Sequence, residues 1–393
     1  MIRPELAPER SEPALTPHVA PDDRRVAIRK AFFLEAYRHL HEDRAAEPAT
    51  ASTMACLTAR GFNVQQLAQL PVGLMASRTR MRTALARAGF TPEEITKSNL
   101  LADPRLPGRL VGPIGDAQGQ IVSFWAWDPT GQRPRCLYLR RDWKRQVGLY
   151  GLDVALPAIA GGAEGLVIVE EILDALLLHS RGVLCAAAIG GPAREMTPDR
   201  WQRLAAMGVQ SAALVSGDAR FPDQGTIAAI DSASRAESTP VVYVLPIDGR
   251  VSDVVRWRAA APFPELLPRV HGYRYRALTL LARHAQEGAW TDAARQAALE
   301  EAMRFYAAAH RRNIPQLDTF FVPPICHELG LGWDACQVLC ECASSDDVLQ
   351  QEPMVVEPPA EEVAGAQRQS IRQPDTGACS IHGCDPMKCF CWD

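Results

Sequence analysis

Carboxylates recur in this chain where apolar runs end. In LVIVEEILDALLLHSRG (166–182) the run Val167, Ile168, Val169 stops at Glu170, and Asp174 follows inside a Leu/Ile pattern of helical period. The same order returns in SAALVSGDARFPDQGTIAAI (211–230), with Asp218 and Asp223, and in PVVYVLPIDGRVSDVV (240–255), with Asp248 and Asp253. An acid at the carboxyl end of a buried parallel strand stands where open α/β sheets bind their ligands. Several such acids on one edge form a set of hard oxygen donors, the kind Mg2+ takes. The alternative is a doubly wound sheet whose strand-end acids only cap the helices that follow.

Strand, helix, strand, helix, strand in this order predicts a right-handed parallel α/β unit. Ahead of it the charge changes sign. The whole chain carries a net charge of −4, yet residues 60–145 hold fourteen Lys/Arg against six Asp/Glu. This concentration predicts a surface that tracks phosphates, with Arg60, Arg105, Arg109, Arg140, Arg141, Lys144 and Arg145 as its cations. Trp125, Trp127, Tyr138 and Trp143 interleave with them, either to stack on single-stranded bases or, for the two alternate tryptophans, as the buried face of a strand. Helices are expected over 24–45 and 78–98. No GxxxxGK[ST] phosphate loop occurs, which excludes an NTP-driven helicase of that class, and no Ser-His-Asp or Cys-His arrangement suggests a covalent nucleophile.

The acidic strand ends, read with the segments before them, resemble the DnaG-type bacterial primases, whose TOPRIM domain holds magnesium through a Glu and an Asp-x-Asp pair. Glu170 matches the Glu and Asp174 the acid after it. AAAIGG (186–191) lies where the family has a small-residue strand and a Gly turn, and LPIDGRVSDVV resembles its closing segment. CLTARGF (56–62), DPRLPGRLVGPIGDAQGQIVSFWAW (103–127) and CLYLRRDWKRQVGLYGLDVA (136–155), the last with Tyr150, resemble the upstream polymerase segments, so the resemblance covers about residues 30–257. It implies a TOPRIM-type parallel sheet with an upstream α+β polymerase subdomain, and RNA primer synthesis from NTPs on single-stranded DNA. The acids Glu170, Asp218 and Asp253 would hold Mg2+ or Mn2+, Asp174 and Asp223 would assist, and a replicative helicase or another replication protein would be a partner. The chain departs from the pattern: VSGD (215–218) has Ser216 at one Asp-x-Asp position, Val251 stands at an inner Asp, Glu171 replaces a Gly and Trp127 an Arg. A TOPRIM nuclease, or a non-catalytic nucleic-acid-binding adaptor, uses the same residues and stays open.

The remaining chain divides by composition. Residues 1–23 form a proline-rich arm expected to be disordered, 24–157 the basic subdomain, 158–261 the TOPRIM unit and 262–345 a helical module containing a helix over 291–313. A Glu/Pro/Gln-rich linker follows at 346–377. The last segment, 378–393, packs Cys379, His382, Cys384, Cys389 and Cys391 together, more ligands than one tetrahedral Zn2+ requires, and is expected to form a zinc knuckle; disulfides are the alternative. A second cluster, Cys326, His327, Cys336, Cys340 and Cys342, reads as buried free thiols acting as small hydrophobes, with a second zinc or an iron–sulfur site as the alternative. Cys56, Cys136 and Cys185 sit in apolar segments and read as core. The family's amino-terminal zinc domain has no counterpart in this sequence. Without a secretory or membrane-spanning segment, a cytoplasmic protein is expected.

Overall fold

The computed structural model describes residues 21–42, 48–116, 119–130, 136–139, 148–216, 223–247, 251, 269–285, 290–310 and 316–332. They fall into two compact units, one running to Val270 and one beginning at His271.

The first unit contains two sheets. Strands β1 (Gly73–Leu74), β2 (Leu110–Gly115), β3 (Ile121–Trp127) and β4 (Cys136–Tyr138) pair antiparallel in sequence order. Alternation along β3 divides its side chains between two cores. Phe124 and Ala126 face α1 (Pro21–His41), where Phe32 meets Phe124 edge-on with ring centroids 5.0 Å apart. Trp125 and Trp127 face the opposite way and join a core with α2 (Pro48–Ala59) and residues of the parallel sheet. Both tryptophans are buried, so the strand-face reading holds for them and base stacking does not.

The expected helix over 78–98 is two helices, α4 (Arg78–Arg87) and α5 (Pro92–Lys97) after a four-residue α3 (Val64–Leu67). Gly89, at φ 84°, breaks the run, and Thr91 starts it again with a reciprocal cap to Glu94 and proline at the first turn. Helix α1 crosses β1 so closely that a Cβ on Gly73 would lie 2.5 Å from the Ala36 carbonyl carbon and 2.6 Å from the Tyr37 nitrogen. Because the obstacle is backbone inside a helix, Gly73→Ala is expected to cost about 1–3 kcal/mol, read as a lowered midpoint of urea unfolding with unchanged slope.

The second sheet is the expected parallel one, with strand order β6-β5-β7-β8-β9. Strands β5 (Leu166–Val169), β6 (Ala186–Ala188), β7 (Ser211–Ser216) and β8 (Val241–Pro246) pair parallel, and β9 is the two-residue Val270–His271. All four residues of β5 are buried, as a central parallel strand requires. Helices α6 (Leu152–Ala160), α7 (Ile172–Ser180), α8 (Pro198–Ala206) and α9 (Gln224–Ala233) accompany these strands. The mixed α/β architecture with a parallel sheet matches the fold class expected from the sequence.

The second unit is helical: α10 (Gly272–His284), α11 (Asp292–His310), α12 (Leu317–Phe320) and α13 (Val322–Leu329). Glu301 is its charged hub. It accepts from Arg276 at 3.2 Å, Arg283 at 2.9 Å and His284 at 2.9 Å. Burial pushes its carboxyl pKa up, but the bond from His284 and the charges of Arg283 and Arg276 win and hold it below the ordinary value. A carboxyl lowered by folding stabilises above its unfolded pKa and loses that contribution as pH falls through the folded one. Glu301→Gln is therefore expected to be less stable than the parent at neutral pH, with the gap closing on acidification below pH ~4; a gap constant from pH 7 to pH 3 would remove the ion-pair account.

Cys326 corrects an expectation. It is disulfide-bonded, whereas Cys56, Cys136 and Cys185 form no disulfide, and of these three Cys185 is buried and the other two half-buried. Cys336, Cys340, Cys342, the linker and the whole Cys/His tail lie outside the described residues.

Candidate functional site

The site begins with β5. Its apolar residues are consumed by packing, and the chain emerges at Glu170, just past the strand's carboxyl end. Glu171 takes extended backbone angles as the N-cap position of α7, and Asp174 lies in that helix's first turn. The turn after β6 closes around the strand tip: Gly190, in the left-handed region at φ 68°, and Gly191 both donate their N–H to the Glu170 carbonyl, at 3.0 and 3.3 Å. The side chain is fixed separately, its Oε1 accepting from the Ala193 N–H at 2.6 Å. Among the described residues Oε2 takes no hydrogen bond.

The electrostatics at Glu170 favour a cation. The residue is solvent-exposed overall, but protein packed around its carboxyl raises the pKa, and the charges of Asp223 and Glu171 raise it further against the Ala193 N–H and Arg194. A carboxylate crowded by two other acids, with one oxygen unbonded, fits a hard divalent ion in donor chemistry. No group of three His, Cys, Asp or Glu side chains able to hold a metal forms among the described residues. Asp218 and Asp253 lie outside those residues, as does Asp248.

Asp223 sits at the N-cap of α9, accepting from the Gly225 N–H at 2.9 Å, the Thr226 N–H at 3.3 Å and the Thr226 hydroxyl at 2.7 Å. It caps a helix, as the alternative reading held, and it is still near enough to act on Glu170.

The predicted basic residues separate by burial. Arg60 pairs with Glu171 at 2.9 Å and lies over the Trp127 ring, 5.1 Å from its centroid, so it joins the rim of the acidic site. Arg105 is held by Asp103 through two bonds of 2.9 and 2.6 Å, which keep that acid's pKa at about 2. Arg109 does not lie on the surface: it is 4% exposed, pairs with the equally buried Asp128 at 3.4 Å and donates to the Arg105 carbonyl at 2.8 Å. Its expected contact with phosphate is corrected by that burial. Arg140, Arg141, Lys144 and Arg145 lie outside the described residues.

Two tyrosines fasten the site instead of facing it. Tyr150 is buried, edge-on to Trp125, and exchanges two backbone hydrogen bonds with Ala188 of β6, at 2.8 and 2.9 Å. Burial, then the charge of Asp153, pushes its phenol well above the usual range. Tyr138, at the end of β4, donates its hydroxyl to the Gly190 carbonyl at 2.5 Å, and burial likewise raises its phenol. The sequence marked Tyr138 as an aromatic among cations; its tie to the turn that holds Glu170 had no sequence signal, since the partners are far apart in the chain.

No protein-family model matches the sequence. The chain is 29% identical to the DNA primase of Deinococcus radiodurans over 192 residues, which are 46% of this chain and 33% of that protein. It thus spans about a third of the length of the curated relative it matches. Among solved structures it superposes on the RNA polymerase domain of Mycobacterium tuberculosis primase DnaG in complex with a double-stranded DNA oligomer with a 6-nucleotide overhang, at TM-score 0.59 and 19% identity, covering 80% of this chain and 100% of that one. It superposes on the DnaG primase catalytic domain bound to ssDNA at TM-score 0.58 and 19% identity, covering 80% and 98%. The fold is that of DnaG primase catalytic domains, and the resemblance read from the sequence to DnaG-type primases is upheld. No described helix is long and apolar enough to cross a membrane.

Proposed function

We propose that this chain, which shares the fold of DnaG catalytic domains and part of its sequence with a DNA primase, synthesises short RNA primers on single-stranded DNA by metal-dependent nucleotidyl transfer. The observation that carries the reading is Glu170: an acid at the tip of the central parallel strand of that fold, clamped through Oε1 and the backbone carbonyl, with its charge crowded by Asp223 and Glu171.

Glu170, Asp218 and Asp253 are the residues that would hold Mg2+ or Mn2+, with Asp174 and Asp223 as supporting acids. Bound there, the metal would supply charge neutralisation and a lowered pKa for the attacking 3′-hydroxyl. The protein's own share is position. The Ala193 N–H orients the Glu170 carboxylate, Tyr138 and the Gly190 turn keep the strand tip in place, and Arg60 pairs with the Glu171 carboxylate at the rim. Arg105 and the basic run Arg140, Arg141, Lys144 and Arg145 would follow the template phosphates. The tail residues Cys379, His382, Cys384, Cys389 and Cys391 would bind Zn2+ and add a template or partner contact, a replicative helicase being one candidate; the cytoplasm is the compartment this activity implies.

The test is synthesis on single-stranded DNA with labelled NTPs and Mg2+ or Mn2+. Short oligoribonucleotides are the expected product. Template binding with no synthesis would overturn the reading, in favour of a nuclease if the template is cut and of a non-catalytic adaptor if it is not.

A further inference from the structure

We propose that the Ser216 hydroxyl is a metal-facing oxygen at the tip of the parallel sheet, a neutral donor beside Glu170 and Asp223, an assignment that rests on the metal reading of Glu170 and extends it to an uncharged residue.

Ser216 closes β7, the strand next to β5. Its backbone carbonyl is used, accepting from the Ile247 N–H at 3.0 Å. Its side chain is fully buried, at 0% exposed, yet among the described residues its Oγ has no hydrogen-bond partner. A hydroxyl brings one donor and two acceptor sites, and folded proteins pair nearly every one they bury. Packing alone gives no reason for it, since alanine would occupy the same strand position without a polar atom to desolvate. An orphaned oxygen at a ligand-binding sheet edge is accounted for by something that binds there.

Register decides what that oxygen meets. Ile168 of β5 lies opposite Leu214 of β7, so two residues further on Glu170 comes level with Ser216. Side chains alternate across a sheet, and Val167, Val169 and Val215 all belong to the core that holds Trp125. Glu170 and Ser216 therefore share the opposite face, on neighbouring strands roughly 4.8 Å apart. Asp223 reaches the same tip through the turn that holds Glu170. It caps the Gly225 N–H, and a Cβ on Gly225 would lie 3.5 Å from the Ala193 Cβ, while the Ala193 N–H is the one bonded to the Glu170 carboxylate. Two carboxylates and an unpaired hydroxyl thus converge on one end of the sheet. Divalent ions of the Mg2+ kind accept a Ser or Thr hydroxyl among carboxylates and waters. Because this donor is neutral, the ion is held by less charge than a third carboxylate would supply.

The experiment titrates Mn2+ into the full chain, follows the free ion by electron paramagnetic resonance, and records thermal midpoints with and without Mn2+. The proteins compared are the parent, Ser216→Ala, Ser216→Asp and Glu170→Gln. Ser216→Ala is expected to bind Mn2+ at least about tenfold more weakly. Without metal its midpoint should equal or exceed the parent's, because the exchange deletes an unpaired buried hydroxyl, and Mn2+ should raise it less. Ser216→Asp is expected to bind Mn2+ more tightly than the parent and to be less stable without it, three acids then crowding one tip. If the aspartate disrupts packing, the Ser216→Ala comparison decides by itself. A lowered metal-free midpoint in Ser216→Ala with unchanged Mn2+ affinity would make the hydroxyl structural and overturn its assignment. Loss of binding in Glu170→Gln with Ser216→Ala equal to the parent would also overturn it while leaving the reading of Glu170 in place. Binding indifferent to Glu170→Gln, or no binding by the parent, would overturn both.

Discussion

Glu170→Gln is expected to lower primer synthesis by on the order of 100-fold or more while leaving the thermal midpoint close to the parent's. The exchange is nearly isosteric. The amide oxygen can still accept from the Ala193 N–H, and the two Gly N–H bonds go to the Glu170 carbonyl, which the exchange does not touch. Only the charge is lost, and with it the attraction for a divalent ion. Stability should not fall, because burial and the charges of Asp223 and Glu171 already oppose the ionised form of this carboxyl in the folded protein. Glu171→Gln provides the contrast: its carboxylate is occupied by Arg60, so a modest loss is expected. Equal losses from the two exchanges would point to general rim charge as the requirement. A Glu170→Gln protein as active as the parent would remove the strand tip from the chemistry altogether.

The strands around this site were readable because their burial leaves few alternatives. Leu166–Val169 is an uninterrupted apolar run ending in an acid, and the structure places that acid at the strand tip. The division of 78–98 into two helices was also encoded, in Gly89 and in the Thr91-x-x-Glu94 capping box with Pro92 between, but helical periodicity on both sides masked it. What periodicity cannot supply is the partner of a charge. Arg105 and Arg109 look alike in sequence, yet the pairing of Leu110 with Trp127 in the β2–β3 hairpin carries Arg109 to Asp128, while Arg105 finds its acid two residues away on the surface. The tie from Tyr138 to Gly190 depends in the same way on how two sheets meet. Asp223 shows the opposite case: its cap was a local reading, and its influence on Glu170 is a tertiary one.

The Arg109–Asp128 pair gives the largest expected effect on stability. Arg109 and Asp128 side chains are 5% and 7% exposed, so removing either breaks a buried ion pair from one side. Arg109→Met should cost roughly 3–5 kcal/mol, a large share of the roughly 5–15 kcal/mol that holds a domain together. Asp128 would keep the bonds its Oδ1 accepts from the Thr130 N–H and hydroxyl, at 2.8 and 2.7 Å, but would lose the cation facing Oδ2. Asp128→Leu instead removes the carboxylate facing the guanidinium, whose Nε stays bonded to the Arg105 carbonyl. Because each single exchange is penalised by the charge left behind, Arg109→Met/Asp128→Leu should cost far less than the sum of the two. Urea unfolding of the four proteins measures that coupling directly. A cost below about 1 kcal/mol for Arg109→Met, in the range of solvent-exposed pairs, would mean the guanidinium reaches water. Arg109 would then rejoin the basic residues proposed to follow template phosphates, and its loss should weaken DNA binding in a salt-dependent way. A large cost with unchanged DNA affinity would fix it as part of the core that holds the β2–β3 hairpin.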